Sequence, residues 1–288
     1  MVEWRCLLPN HSSGHPLANM NAHSFSPPSD MEQLRLDAAL QVAANGRDLA
    51  EVCRLVALGA KGVAPAGDRA PLSVATQRKN LDLMEALLPA SDANETDEIA
   101  NSHITPLSLA AGAGFAKGVK LLLAHGADPL RKNAMGRTPL MFAALASSAS
   151  CVRALLPVSD PLVQDATGTT ALMLATQAAT SKAKIRILEL LAPVSDPRAK
   201  NSLGGTALMI AALGGNTRAA RILVDGSDAQ AQDARGKSAD DHARAVGHID
   251  LAEELFAHKE RQAMLQELAQ RAAPPAEKIA RKKKPRSL

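Results

Sequence analysis

The chain has 288 residues, with 33 Lys and Arg against 29 Asp and Glu, a formal net charge of +4 and only 2% aromatic residues. Its three cysteines are scattered and form no C-x-x-C motif, which excludes a disulfide framework or zinc site and favours a reducing compartment. Six basic residues fall within positions 278–286, so the rest carries a formal net charge of −2 and the basic balance belongs to the C-terminal end.

Residues 1–30 are predicted to be a disordered leader, because they mix Ser, Pro, His and Asn without periodicity. Its histidines have no frame to fix metal geometry, so no metal site is predicted. Residues 1–10 lack the apolar core of a signal peptide, and Met31 is an alternative start. The longest uncharged run in the repeats, residues 201–217, is shorter than a membrane span. We therefore expect a cytoplasmic protein without a spanning helix; secretion without a cleavable signal stays open.

The stretch from His103 to Asp128 defines a unit of two short helices. Thr105 can cap the first helix with its hydroxyl, and Pro106 suits the first helical position because its missing N–H costs nothing there. Gly114 and Gly126 can end the first and second helices. The unit is therefore predicted as helix, tight turn, helix.

This unit recurs along the chain. The frame Thr-Pro-Leu-Ser-Leu-Ala at Thr105 is repeated, with substitutions, at spacings of 32 to 36 residues. Close copies begin at Thr138, Thr170 and Thr206, and weaker copies begin at Ala70 and Ser238. An initial pair at residues 34–60 lacks the frame, as an end-capping repeat can. Two short helices cannot bury their apolar faces alone, so the copies are predicted to stack.

The frame, the period and the ending Leu-Leu-Ala-His-Gly-Ala-Asp before Pro129 together resemble the ankyrin repeat over residues 34–262. The resemblance implies an all-α solenoid of about seven helix-turn-helix units. We divide the chain into a leader (1–30), an ankyrin-repeat domain (31–262), a C-terminal helix extension (263–273) and a disordered basic tail (274–288).

The resemblance also implies a function, because ankyrin-like proteins generally bind partner proteins through their turn tips and the exposed ends of their first helices. The corresponding tip positions are Ile104, Met135, Arg137, Thr167, Thr169, Leu203, Arg235 and Lys237. The first-helix positions are Gln77, Arg78, Ala113, Leu145, Gln177 and Leu213. Met135, Leu145, Leu203 and Leu213 are apolar where solvent-facing residues are expected, which favours an interface in the fourth to sixth units. We expect a monomeric scaffold with an unidentified protein partner.

Two other patterns have competing interpretations. Met141, Met173 and Met209 share the fourth frame position, where the family usually has His, and either pack between repeats or face a partner; packing is favoured. The spacing of Gly112, Gly114 and Gly118 superficially matches a dinucleotide fingerprint, but no strand is predicted before it. Nucleotide binding is therefore not predicted, and no cofactor is expected.

The basic tail carries the alternative functional hypothesis, a regulatory or effector protein that contacts nucleic acid or anionic surfaces. A plain solubilising terminus and, in a eukaryotic cell, an import signal are the other interpretations. Nucleic-acid contact would be non-specific, because no aromatic platform accompanies the charges. The basic residues are Lys278, Arg281, Lys282, Lys283, Lys284 and Arg286.

Catalysis has the weakest support in the sequence. No serine lies on a Gly-x-Ser-x-Gly elbow, and no histidine is placed by a recognisable nucleophile motif. Asp240 and Asp241 fit solvated residues of a capping repeat, and His242 and His248 fit structural roles in the same repeat. The sequence therefore predicts a protein that is not an enzyme.

Overall fold

The computed structural model describes residues 30–63, 69–97, 103–177 and 181–272. These residues form fourteen α-helices and no β-strand. The predicted leader, except for Asp30, and the predicted tail lie outside the described residues. The chain divides after Ala166 into two compact units.

The first unit contains four antiparallel helix pairs. Within it, equivalent helices of successive pairs pack against each other, as α5 does against α7 and α6 against α8. The pairs are α1 (Asp30–Gly46) with α2 (Leu49–Ala57), α3 (Pro71–Gln77) with α4 (Leu81–Leu87), α5 (Pro106–Gly112) with α6 (Ala116–Ala124), and α7 (Pro139–Leu145) with α8 (Ala149–Leu155). Short 3₁₀ turns at Leu88–Ala90 and Leu156–Val158 follow α4 and α8.

The second unit contains three further pairs that stack in the same way. Here α11 packs against α9 and α13, and α10 packs against α12. The pairs are α9 (Ala171–Thr176) with α10 (Lys182–Leu191), α11 (Ala207–Leu213) with α12 (Thr217–Leu223), and α13 (Ala239–Ala245) with α14 (Ile249–Ala272). The last helix continues without a break across position 262.

The frame residue that precedes each first helix acts as its N-cap in most pairs. Thr105 accepts a hydrogen bond from the backbone N–H of Ser108 at 3.2 Å, and Thr206 accepts one from Met209 at 3.4 Å. Such a cap stabilises a helix by about 1 kcal/mol. Thr138 has the backbone conformation of a cap but makes no side-chain capping bond. The Thr-Pro frame therefore fixes where the first helices begin.

The tight turn between paired helices requires a left-handed residue. Gly114 and Gly215 have φ values of 69° and 61° at this position. Ser147 occupies the same position in the fourth pair with a φ of 58°, although a side chain makes this conformation unfavourable. The turn geometry is thus set by the stacking of the helices and persists where glycine is absent.

The core consists of small and aliphatic side chains on the faces that the pairs turn toward each other. Ala143 and Ala211 are fully buried on α7 and α11, where a larger side chain would separate the neighbouring helices. Met141, Met173 and Met209 are also buried, so packing explains them and a partner cannot reach them. Within the described ranges, every helix is too short or too polar to cross a bilayer.

Candidate functional site

Three of the turn tips that precede first helices share one hydrogen-bonded geometry. Asn133 Oδ1 accepts the backbone N–H groups of Met135 and Arg137 at 3.0 and 2.9 Å. In the sixth and seventh pairs, Asn201 accepts the equivalent bonds at 3.0 and 2.8 Å and Asp233 at 2.8 and 2.9 Å. One side-chain oxygen thereby fixes the whole turn, which explains why Asn or Asp opens these three tips.

Backbone hydrogen bonds also join each tip to the next one within a unit. The carbonyl oxygen near the apex of one tip accepts the N–H of a residue in the following tip. The bonds join Met135 to Ala166 at 2.9 Å, Thr167 to Ser202 at 2.8 Å, and Leu203 to Ala234 at 2.9 Å. Main-chain atoms therefore help to hold neighbouring tips in register.

Most of the predicted tip residues are exposed. Leu203 is 71% exposed, a large value for an aliphatic side chain, and Met135 is also exposed. Thr167, Arg235 and Lys237 are exposed polar residues. These five side chains project from turns whose backbone is fixed, so a partner would meet them with little loss of chain entropy.

Thr169 does not fit the expectation of an exposed tip residue, because the structure buries it. Its hydroxyl lies 2.8 Å from the hydroxyl of Thr167, which draws the side chain into the turn. Ile104 is half-buried because its segment pairs with the chain at Asp97, whose N–H donates to the Ile104 carbonyl at 3.1 Å. Neither burial could be read from the spacing of the repeats.

Arg137 has a structural partner within its own unit. Its Nε lies 3.1 Å from Oδ2 of Asp165, whose side chain is only 1% exposed. Asp165 also takes part in a further interaction within the described residues. Because removing one partner of a buried ion pair leaves an uncompensated charge, Arg137 stabilises the tips in addition to any role in binding.

The predicted first-helix residues differ in exposure. Leu213, the last residue of α11, is 52% exposed, and Gln177, directly after α9, is exposed as well. Leu145, the last residue of α7, is half-buried. Gln177 and Leu213 are therefore accessible as expected, whereas only part of Leu145 can be reached.

A hollow of about 280 Å³ lies between first helices in the first unit. Its walls are mainly apolar and include Gln77, Ile104, Leu109, Gly112 and Phe142. Gln77, Ile104 and Ala113 line this hollow and were predicted contact positions, whereas Leu109 and Phe142 were missed. Both missed residues occupy the fifth frame position, and the large size of Phe142 there was the available signal.

Burial shifts the pKa of two ionisable side chains, Cys151 and Lys184. Burial raises the pKa of the Cys151 thiol, so the thiol is not an activated nucleophile. Burial also lowers the pKa of Lys184, whose Nζ donates to the carbonyl of Leu174 at 3.2 Å. No group of three or more His, Cys, Asp or Glu side chains in the described residues could hold a metal ion.

Comparison with known families identifies this arrangement. The sequence model described as Ankyrin repeats (3 copies) matches residues 38–133, 72–165, 109–192 and 172–266. The chain belongs to the ankyrin-repeat family. A comparison with curated proteins found no match.

The family assignment confirms the expected fold, an all-α ankyrin-repeat solenoid with seven helix-turn-helix units in the described residues. Ankyrin repeats are generally protein–protein interaction modules, and the proteins that carry them are generally non-enzymatic. The basic positions of the alternative hypothesis, Lys278, Arg281, Lys282, Lys283, Lys284 and Arg286, lie outside the described residues.

Proposed function

We propose that this ankyrin-repeat protein is a non-enzymatic scaffold that binds a partner protein through its turn tips and the exposed ends of its first helices. The observation that carries the proposal is the pair of exposed leucines in the sixth repeat, Leu203 at the tip and Leu213 at the end of α11. Burying one such side chain contributes about 1.5–3 kcal/mol, so an exposed pair in one repeat favours a contact.

The fixed backbone of the tips supports the same proposal. Asn201 holds the tip of the sixth repeat through two backbone N–H groups, and Leu203 is bonded through its carbonyl to Ala234. A partner therefore meets a surface that is already ordered. The hollow beside Phe142 offers a second apolar contact in the first unit.

Capture of partners from a lysate of the source cells, with the full-length chain as bait, tests the proposal. We expect the double variant Leu203→Glu, Leu213→Glu to lose a protein that the wild type retains, because each new carboxylate would be desolvated at the interface. Mass spectrometry identifies the lost protein, and circular dichroism checks that helix content is unchanged.

The matched control is Val194→Glu, which places the same charge at a side chain that is 47% exposed and follows a second helix. It should retain the partner. Equal capture by the wild type and the double variant would contradict the proposed surface, and equal loss with Val194→Glu would indicate a general charge effect.

We also propose a cytoplasmic location, on the basis of the cysteines. Cys151 is a buried free thiol, and the three cysteines of the sequence form no C-x-x-C motif. Free thiols of this kind suit a reducing compartment. We further propose that the chain is a monomer in solution. Light scattering measures its molar mass and tests this.

A further inference from the structure

The last helix differs from every other second helix in its length. α14 has 24 residues, whereas α10, the next longest second helix, has ten. Its first turns follow the repeat pattern, with Leu251 and Leu255 buried. The remaining turns extend beyond what is needed to cover α13.

One side of this extension is held by the preceding repeat. Gln262 donates to the carbonyl of Ser227 and accepts the N–H of Ala229, both at 3.1 Å. One turn later, Gln266 lies 3.3 Å from Gln230. These bonds fix which side of the helix faces the unit and which side faces away.

The side that faces away is apolar. Met264, Leu265 and Leu268 are 63%, 59% and 50% exposed, and their spacing places them together along the helix. Arg261, which is exposed, lies on the same side one turn earlier. We call Met264, Leu265 and Leu268 the apolar stripe.

Two acidic residues of the extension flank this stripe. Glu260 lies four residues before Met264 and Glu267 lies three residues after it, so both carboxylates share its face of the helix. Glu267 pairs with Arg271 at 2.6 Å, and Arg261 adds a second cation beside the stripe. The exposed side of the extension therefore carries two anions and two cations, and the excess positive charge that attracts an anionic surface comes from the tail.

The sequence directly after the helix is strongly basic. Six Lys and Arg residues lie between positions 278 and 286, and Glu277 is the one acidic residue after 272. Six residues of extended chain span at most about 20 Å, so the first cation of the tail stays within about that distance of the helix end. Cations and apolar stripe can therefore reach one surface together.

We propose that the end of α14 and the basic tail bind the surface of a bilayer that contains anionic lipids. The apolar stripe enters the boundary between headgroups and acyl chains, and the tail cations are attracted by the lipid charge. Peripheral binding of this kind takes two signals, and this chain places both next to each other. The proposal involves neither Leu203 nor Leu213, so it stands apart from partner binding at the tips.

Two other occupants explain the features less well. A second copy of the helix would bury three side chains, roughly 300 Å² per copy, far below the about 800 Å² per partner of a stable complex. Nucleic acid would be attracted by the tail cations, but its phosphate backbone offers no apolar surface that could cover the apolar stripe. Of these three occupants, a bilayer surface is the one that accounts for both features.

Sedimentation with phosphatidylcholine vesicles, with and without phosphatidylserine, tests the proposal on the full-length chain. We expect binding only to the vesicles that contain phosphatidylserine, and weaker binding as salt is raised. Replacing Lys282, Lys283 and Lys284 by Gln should lower the partition coefficient about fivefold per cation removed. The triple variant Met264→Gln, Leu265→Gln, Leu268→Gln should lower it at least tenfold.

The matched control is the double variant Leu130→Gln, Leu162→Gln, which removes comparably exposed leucines at other positions and should bind vesicles like the wild type. Vesicle binding that is unchanged in the stripe variant would overturn the proposal. Binding of a single-stranded oligonucleotide without vesicle binding would overturn it in favour of nucleic acid. A dimer in light scattering that the stripe variant abolishes would overturn it in favour of a second copy.

Discussion

Glycine in the tips is required for two separate reasons, and the structure separates them. Gly204 and Gly236 have φ values of 75° and 73°, where a side chain is unfavourable. A Cβ on Gly204 would also lie 2.9 Å from the backbone nitrogen of Ala234 in the next tip. A Cβ on Gly236 would have no atom of the described structure within 4 Å.

Gly204→Ala should therefore destabilise the protein more than Gly236→Ala. Both variants carry the cost of the left-handed conformation, about 1–2 kcal/mol, and both restrict the unfolded chain equally. Gly204→Ala adds overpacking against backbone, which costs about 1–3 kcal/mol more. Urea unfolding of the two variants measures the difference in their free energies of unfolding. Equal losses of stability would mean that the neighbouring tip moves to accommodate the new methyl group without cost.

Side-chain burial was the least predictable property at this scale. Repeat register correctly placed Thr167 and Leu203 on exposed turns, but it gave Thr169 the same status although the structure buries it. Register assigns a position to a tip and does not state whether the side chain turns inward. Phe142 was not predicted as an accessible residue, because the repeated frame does not show whether its fifth position faces the core or the surface.

At the scale of single elements, the seventh repeat depends on charged side chains where the others use apolar ones. Ser238 and Asp241 form a reciprocal capping box at the start of α13. Lys259 of α14 donates to Ser238 Oγ at 2.9 Å and to Asp240 at 3.2 Å, which ties the two helices together. A terminal repeat has one face in water, so polar contacts replace the missing neighbour.

Asp233 links this repeat to pH. Backbone hydrogen bonds from Lys237 and Arg235 and a contact of 2.9 Å with His242 lower the pKa of its carboxyl group, the bond from Lys237 most. Because the folded pKa lies below the unfolded value of about 3.9, the stabilising effect is complete above that pH. It is lost as the pH falls through the folded pKa.

Asp233→Asn should therefore make the stability of the protein depend less on pH at acid pH. Asparagine keeps the turn bonds, as Asn133 and Asn201 show in other tips, but it cannot titrate. We expect the melting temperature of the variant to fall less than that of the wild type between about pH 4 and pH 2. Asp225→Asn, at an exposed position of the same unit, is the control and should follow the wild type.

Helix starts were predictable because the signals are local. Thr105 and Pro106 determine where α5 begins by capping and by a fixed φ, and neither effect depends on distant contacts. Ser147 was harder, since its left-handed conformation is imposed by the helices that it joins. Local chemistry can be read from sequence, whereas conformations imposed by packing cannot.

At the scale of the whole molecule, stability should be shared between neighbouring repeats within each unit, because equivalent helices of successive pairs pack against each other there. Ala143 is fully buried in α7. A charged side chain at this position would be removed from water and would have no ion-pair partner. A destabilising substitution should therefore unfold its own repeat first and the neighbouring repeats after it.

Ala143→Asp should lower the free energy of unfolding by roughly 3–5 kcal/mol, the range for an unpaired buried charge. Hydrogen exchange should show the largest loss of protection in α5 to α8. Ala134→Asp, at an exposed position of a tip, should leave exchange nearly unchanged. Unaltered protection around α7 in the first variant would show that the assigned repeat register is wrong.

The way in which neighbouring tips are joined has a practical consequence for engineering. The hydrogen bonds from Leu203 to Ala234 and from Met135 to Ala166 use main-chain atoms only, so they persist when the side chain at the apex is changed. Substitution of Met135, Leu203 and Arg235 should therefore cost little stability, and a library randomised at these three positions should yield folded proteins with new specificities.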